Sequence, residues 1–423
     1  MLTAIVGINW GDEGKGRMVD LLSEKYKVII RYQGGNNAGH TVINEKGKFI
    51  LNLLPSGILR DDTVNVMGPG MVIDLEHLYG EVKRLRDAGI EITPERLKIS
   101  DRATICMPYH KMLDILEEDR LGDAKFGSTR RGIAPVYSDK YMKKAFRMGD
   151  LLHFDDIERR LPAIVEWKNL LVSGGYGAEP IKSDDMLSWL REFGLPFADY
   201  ICDTTEYLTK AADEGKNIMF EAQLGALRDI DFGIYPYTSS SSNISAFAPI
   251  GAGIPAKKLD GVVGIMKAYS SCVGEGPFTC ELFGEEGEKL RAAGGEYGAA
   301  TGRPRRVGGF DVPASKYGIL VQGATEIALT KLDVLSYLEK IPVCVKYSVE
   351  GRETDVFPSG EALMKATPVY EYLDGWMEDI SSCRSFDELP ENAKKYVLYI
   401  QSATNCKIKY VSVGAGRDEY FEM

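Results

Sequence analysis

Residues 9–20, NWGDEGKGRMVD, follow the apolar run LTAIVGI of Leu2–Ile8. Gly11, Gly14 and Gly16 would free backbone N–H groups where a helix begins, and Lys15 stands among them. That is the composition of an anion cradle. The spacing is not G-x-x-x-x-G-K-[ST], which needs glycine at position 9 and a hydroxyl at position 16, where this chain has Asn9 and Gly16. Nor does it fit G-x-G-x-x-G. Two acids, Asp12 and Glu13, lie where they would repel a phosphate. Asp12 therefore implies Mg2+ or a base, unless Asp12 or Glu13 merely caps the helix.

A second glycine loop, RYQGGNNAGHTV (Arg31–Val42), sets Gly34, Gly35 and Gly39 around two asparagines and His40. Gly and Asn tolerate left-handed backbone, so amides and carbonyls can converge on a ligand there. His40 has no apolar face to pack on and reads as a proton donor, against the alternative of a buried turn histidine. IALTKLDVL (Ile327–Leu335) is a strand ending in Thr330-Lys331-Leu332-Asp333. A carboxylate there can accept both N1–H and the exocyclic N2–H of guanine, a donor pair that adenine lacks. GAATGRPRRVGG (Gly298–Gly309) gathers Arg303, Arg305 and Arg306. Arg303 and Arg305, two apart on an extended loop, suit a small dicarboxylate, although an arginine knot can also balance charge. KFGSTRRGIAP (Lys125–Pro135) offers hydroxyls and arginines for a further phosphate.

Parallel strands between helices would position these loops. Strands are expected at Ala4–Ile8, Val28–Arg31, Val64–Met67, Leu97–Ile99, Asn217–Phe220, Gly261–Met266, Ile327–Leu329, Val343–Tyr347 and Lys407–Val413. Helical patterns lie between them, as in LEHLYGEVKRLRDAG from Leu75 and YHKMLDILEED from Tyr109. This alternation predicts an α/β fold with a large, mostly parallel sheet covered by helices on both faces. No repeat and no linker interrupts the 423 residues, so residues 1–423 read as one domain.

Composition narrows the partners. The chain carries 51 basic and 62 acidic residues, a net charge of −11, and no basic block, which argues against nucleic acid and anionic membranes. Seven scattered cysteines without C-x-x-C spacing argue for reduced thiols rather than a disulfide framework or zinc site. No basic leader precedes the first apolar run, and no apolar stretch reaches the ~18 residues of a membrane span. The expected location is cytoplasmic. Of the four histidines, His77, His110 and His153 fall in no catalytic or ligand motif.

Together these motifs closely resemble those of the adenylosuccinate synthetase family: WGDEGKG (from Trp10), RYQGGNNAGHT (Arg31), PSGIL (Pro55), DID (Asp229), YPY (Tyr235), KAYS (Lys267), VG (Val273), GPF (Gly276), TGR (Thr301) and TKLD (Thr330), in family order along essentially the whole chain. The resemblance implies a P-loop-NTPase-like α/β fold with long active-site loops. It implies a homodimer that uses GTP and Mg2+ to join IMP to L-aspartate through 6-phosphoryl-IMP, on the way to AMP. Asp12 would be the base and, with the Gly39 carbonyl, a metal ligand, and His40 would assist phosphoryl transfer. Lys15, Asn37, Ala38, Thr129, Lys143, Gln223 or Leu224, Thr238 or Ser239, and Arg303 would hold IMP. Ala299, Thr301, Arg303 and Arg305 would hold aspartate. Gly11, Glu13, Gly14, Lys15, Gly16, Gly39, Thr41, Arg305, Lys331, Asp333, Ser412 and Gly414 would hold GTP.

The chain departs from the family pattern at several points. E-G-A-Q-G becomes EAQLG (Glu221–Gly225), the arginine lent to the neighbouring subunit's IMP becomes Lys143, an aspartate-loop threonine becomes Ala300, and Arg130 and Ala134 replace glycines. The loop PYTSSSSN is one residue longer. Two other readings share these motifs. One is a ligase of the same mechanism acting on another 6-oxopurine nucleotide, such as dGMP, or on another amino acid. The other is a guanine-nucleotide binder without catalysis, which would not need Asp12 and His40 together.

Overall fold

The computed structural model describes residues 1–44, 47–298, 302 and 304–423. Ten strands form the central sheet: β1 (Leu2–Gly7), β2 (Val28–Arg31), β3 (Val64–Met67), β4 (Leu97–Ser100), β5 (Ile201–Cys202), β6 (Ile218–Glu221), β7 (Gly261–Lys267), β8 (Glu326–Thr330), β9 (Ile408–Ser412) and β10 (Tyr420–Glu422). Their spatial order is β10-β9-β8-β7-β1-β6-β2-β3-β4-β5. Every pairing is parallel except β9 with β10.

Strand alternation explains why the sheet is apolar on both sides. Ile5 and Ile29 face Met18, Val19 and Leu22 of helix α1 (Lys15–Leu22), together with Met219, Val263 and Ile265. Their neighbours Ala4, Val6, Val28 and Ile30 face the other way, against Leu208, Ala211, Ala248 and Ala252. Two further apolar clusters flank the sheet. One is built around the helices Leu75–Asp87 and Phe154–Val172, the other around the helix Glu391–Thr404.

The predicted strand Val343–Tyr347 lies instead within Lys340–Val349, the spine of a separate four-stranded sheet. All seven cysteines are unpaired thiols. No helix among the described residues is long and apolar enough to cross a membrane.

The topology sets the site. Strands β9, β8, β7, β1, β6 and β2 are consecutive neighbours; the loops after β8, β7, β1, β6 and β2 carry segments quoted above, and Ser412 and Gly414 lie at the end of β9. Ligands of open parallel sheets bind along this edge.

Candidate active site

The two acids of the first loop divide their work. The N-cap of α1 is Gly14, at φ 94°, with no side-chain cap, so neither Asp12 nor Glu13 caps the helix. Glu13 is turned inward and is 2% exposed. Its Oε1 accepts the N–H groups of Asn9 (3.1 Å) and Gly11 (2.8 Å), and its Oε2 accepts Lys15 Nζ at 2.5 Å. The buried carboxylate thus folds the loop back on itself and fixes the lysine. Asp12, at φ 60°, points out of the loop, with its Oδ2 3.1 Å from Arg305 Nε. Gly16 is required by packing, because a Cβ there would stand 2.5 Å from the His40 Cβ.

His40 is oriented by a residue that sequence reasoning did not single out. Its Nδ1 lies 2.5 Å from Glu221 Oε1, at the end of β6. Glu221 is fully buried and also accepts the Ser56 N–H (2.8 Å) and Ser56 Oγ (2.7 Å). Burial pushes the Glu221 pKa up, but the His40 bond, Arg31 and the Ser56 N–H more than offset it and hold it below the ordinary range. Burial lowers the pKa of His40, and Glu221 offsets this only in part. Glu221 thus takes up Nδ1, and Nε2 is the ring nitrogen left for a ligand.

The asparagine loop is held from outside. Asn36 Nδ2 donates to Asp74 (2.9 Å), Gly34 N–H to the Tyr137 hydroxyl (3.0 Å), and Gln223 Nε2 to Gly35 O (2.9 Å). Asn52 Nδ2 donates to Ala38 O (3.0 Å), while Asn52 Oδ1 lies 3.1 Å from His77 Nε2. With its frame so tied, the loop presents Asn37, Ala38 and Thr41 half-buried and Gly39 exposed. Gln223 is fully buried in this tether, whereas Leu224, at φ 61°, is the half-buried member of the pair.

At the end of β8, Lys331 takes φ 59° and starts the turn carrying Asp333. Asp333 Oδ1 is buried with no hydrogen-bond partner among the described residues, and burial raises its pKa. An acceptor left open in this way matches a ligand's N–H groups. Ser412 Oγ accepts from Arg17 Nη1 and donates to Gly414 O (3.1 Å). Arg17 Nη2 also donates to Gly416 O at 2.6 Å, so Arg17, adjacent to the first motif, braces this pocket without having been read as part of it. Thr330 Oγ1 donates to Glu13 O (2.7 Å), which joins the TKLD motif to the first loop.

Ala299, Ala300, Thr301 and Arg303 lie outside the described residues. Arg305 remains, with Nη1 2.8 Å from Glu296 Oε2. On the far side of the site, Asp114 binds Ser128 Oγ (2.6 Å) and Gly132 N–H (2.8 Å), which fixes the loop bearing Thr129, itself exposed. Arg130 turns away to Asp119 at 2.7 Å. Thr238 and Ser239 are half-buried, with Ser239 N–H on Arg228 O (2.9 Å). Asp229 binds the N–H of Asn243, which closes the serine loop. Lys143 ends the helix Ile133–Met142 at φ 61°, exposed beside Tyr141 (77% exposed) and Met142 (49%).

A parallel α/β sheet whose adjacent strand ends bring together a glycine-rich anion cradle, a buried carboxylate oxygen without a partner among the described residues and an oriented histidine has the composition of a nucleotide-dependent enzyme. The model of the adenylosuccinate synthetase family matches residues 4–421. An adenylosuccinate synthetase from Geobacillus sp. (strain WCH70) is 44% identical over 98% of this chain and 97% of its own length. The fully ligated adenylosuccinate synthetase from Plasmodium falciparum superimposes with a TM-score of 0.93 at 37% identity, covering 100% of this chain and 99% of the other. A cyanophage S-2L succinoaminodeoxyadenylate synthetase bound to dGMP and dATP shares the fold alone, with a TM-score of 0.61 at 19% identity over 100% and 95% of the two chains. The chain belongs to the adenylosuccinate synthetase family, and it is a ligase that joins IMP to L-aspartate at the expense of GTP in AMP biosynthesis.

Proposed function

We propose that Asp12 is the base that takes the N1 proton of IMP, so that O6 attacks the γ-phosphorus of GTP. The bond from that phosphorus to the β–γ bridging oxygen breaks, and GDP leaves. The L-aspartate amine then attacks C6 of 6-phosphoryl-IMP, and the C6–O6 bond breaks to release phosphate. His40 assists the first step through Nε2, because Glu221 occupies its Nδ1. The observation that carries the reading is the division between the acids: Glu13 is consumed inside the loop while Asp12 stays open beside Arg305.

On this reading Lys331, Asp333, Ser412 and Gly414 read guanine, and Gly11, Glu13, Gly14, Lys15, Gly16, Gly39, Thr41 and Arg305 face the GTP phosphates. Glu13 and Lys15 contribute mainly through backbone N–H groups, since their side chains pair with each other. Asn37, Ala38, Thr129, Leu224, Thr238, Ser239 and Arg303 hold IMP, Gln223 supports them from behind, and Ala299, Thr301, Arg303 and Arg305 hold aspartate.

The donor set fits Mg2+. The Asp12 carboxylate and Gly39 carbonyl are hard oxygens, and among the described residues no group of three or more acidic, histidine or cysteine side chains is placed to hold a metal ion by itself. One protein carboxylate beside substrate phosphates is an ordinary arrangement for this ion. Bound there, it would neutralise charge between phosphates.

We further propose a single catalytic domain over residues 1–423, acting in the cytoplasm as a homodimer without nucleic-acid or membrane partners, in which the partner subunit's Lys143 reaches the IMP phosphate. IMP labelled with 18O at O6 tests the chemistry. The label should leave in inorganic phosphate, and unlabelled phosphate would overturn the phosphorylated intermediate.

A further inference from the structure

Four donors from three separate stretches of chain converge on Glu296, which is fully buried. Its Oε1 accepts Lys267 Nζ at 2.7 Å, Lys331 Nζ at 3.0 Å and the Tyr269 hydroxyl at 2.5 Å, and its Oε2 accepts Arg305 Nη1 at 2.8 Å. Lys267 ends β7, Tyr269 lies two residues beyond, Lys331 follows β8, and Arg305 closes the aspartate-side loop. The loop is also tied by its backbone, with Arg305 N–H on Glu296 O at 2.9 Å. Lys331 Nζ donates a second bond to Gly294 O at 2.6 Å. Arg305 reaches onward to Asp12 at 3.1 Å.

One negative charge is thus shared among three cations in a buried setting, where electrostatic interactions are strong and a change at one partner redistributes the others. On the assignments above Lys331 belongs to the guanine side, and Arg305 belongs to the aspartate side while also facing the GTP phosphates; each is one hydrogen bond from the same group. A guanine ring that draws Lys331 over its face leaves Glu296 more fully to Arg305. The arginine is then fixed in place for a dicarboxylate before one arrives.

We infer that Glu296 is a positioning residue that couples guanine-nucleotide binding to L-aspartate binding, by holding Lys331 and Arg305 on one carboxylate. The inference rests on the residue assignments proposed above for those two side chains. The coupling must be reciprocal, since each ligand changes the other's affinity by the same factor.

Calorimetric titration of GDP, with and without saturating L-aspartate, reads the factor directly. The intact enzyme should bind GDP at least about five-fold more tightly when aspartate is present, the lower end of ordinary coupling between sites. Glu296→Gln should bring the factor to within about two-fold of unity while GDP alone still binds. The charge-balanced Lys267→Met/Glu296→Gln pair, which removes one buried cation with the anion, should do the same and guards against a folding defect. A wild-type factor near unity, or a wild-type factor retained in either variant, would overturn the inference. Asp333→Asn in the same titration separates the two levels. If it leaves GDP affinity unchanged, the guanine-site assignment fails, whatever Glu296 does.

Discussion

Asp333→Asn should change the nucleotide that the enzyme accepts, and the geometry sets the expected size of the change. Asp333 Oδ1 is buried without a partner among the described residues. On the guanine-site assignment proposed above, the carboxylate would accept two donors, guanine N1–H and N2–H. The amide keeps one acceptor and turns a donor toward N2–H2. Losing a hydrogen bond to a charged group costs about 1.5–3 kcal/mol, and leaving a buried donor unpaired costs about 1–3 kcal/mol more. The sum, about 2.5–6 kcal/mol, is roughly 10²–10⁴-fold in kcat/KM for GTP. Xanthosine triphosphate carries O2 where GTP carries its amino group, so the amide pairs with it and the carboxylate repels it. Initial rates of IMP–aspartate ligation with each triphosphate measure the ratio. The GTP to xanthosine triphosphate preference should fall by at least about 10³-fold. A GTP kcat/KM left near the wild-type value would refute the assignment, as would an equal loss with both nucleotides.

Two other variants probe the remaining assignments. Lys143→Ala should raise the KM for IMP about ten-fold or more, the loss of a charge-assisted phosphate contact, with little change for GTP or aspartate. Kinetics unaltered for IMP would return Lys143 to an ordinary solvated lysine. Mixed with Asp12→Asn subunits at low IMP, it should regain activity, because each hybrid dimer holds one site with both residues intact. Glu221→Gln removes the charged acceptor on His40 Nδ1 and should lower kcat by roughly 10- to 100-fold, from the loss of a charged hydrogen bond of about 1.5–3 kcal/mol, with little change in substrate KM values. A KM effect without a kcat effect would mean that Glu221 shapes the loop only.

Much of this was legible because it is local. Val28–Arg31 and Val64–Met67 form as their composition predicts, each a short apolar, β-rich run that ends in a loop. Val343–Tyr347 has the same composition but is buried in a second sheet, and residue pattern alone does not say which sheet a strand joins. Ile201–Cys202, at two residues, is too short to leave a pattern. Within the site, adjacency concealed the difference between Asp12 and Glu13. The longer side chain reaches back to the Asn9 and Gly11 amides, and only the folded loop reveals it. His77 looked inert because Asn52, its partner, lies 25 residues away, yet it steadies the loop that carries His40. Glu221 and Glu296 act on residues brought near by sheet order, at separations of 181 residues (His40) and 29 to 35 (Lys267 and Lys331). No spacing in the chain announces such contacts.

If Asp12 does the proton work, turnover of a folded Asp12→Asn variant must collapse. The substitution keeps the size of the side chain and removes the base. With the fold verified by circular dichroism and GDP binding intact, kcat should drop by about 10²–10⁴-fold, the ordinary contribution of a positioned acid or base. A variant that turns over within a few-fold of the wild type would leave Asp12 as no more than a partner of Arg305.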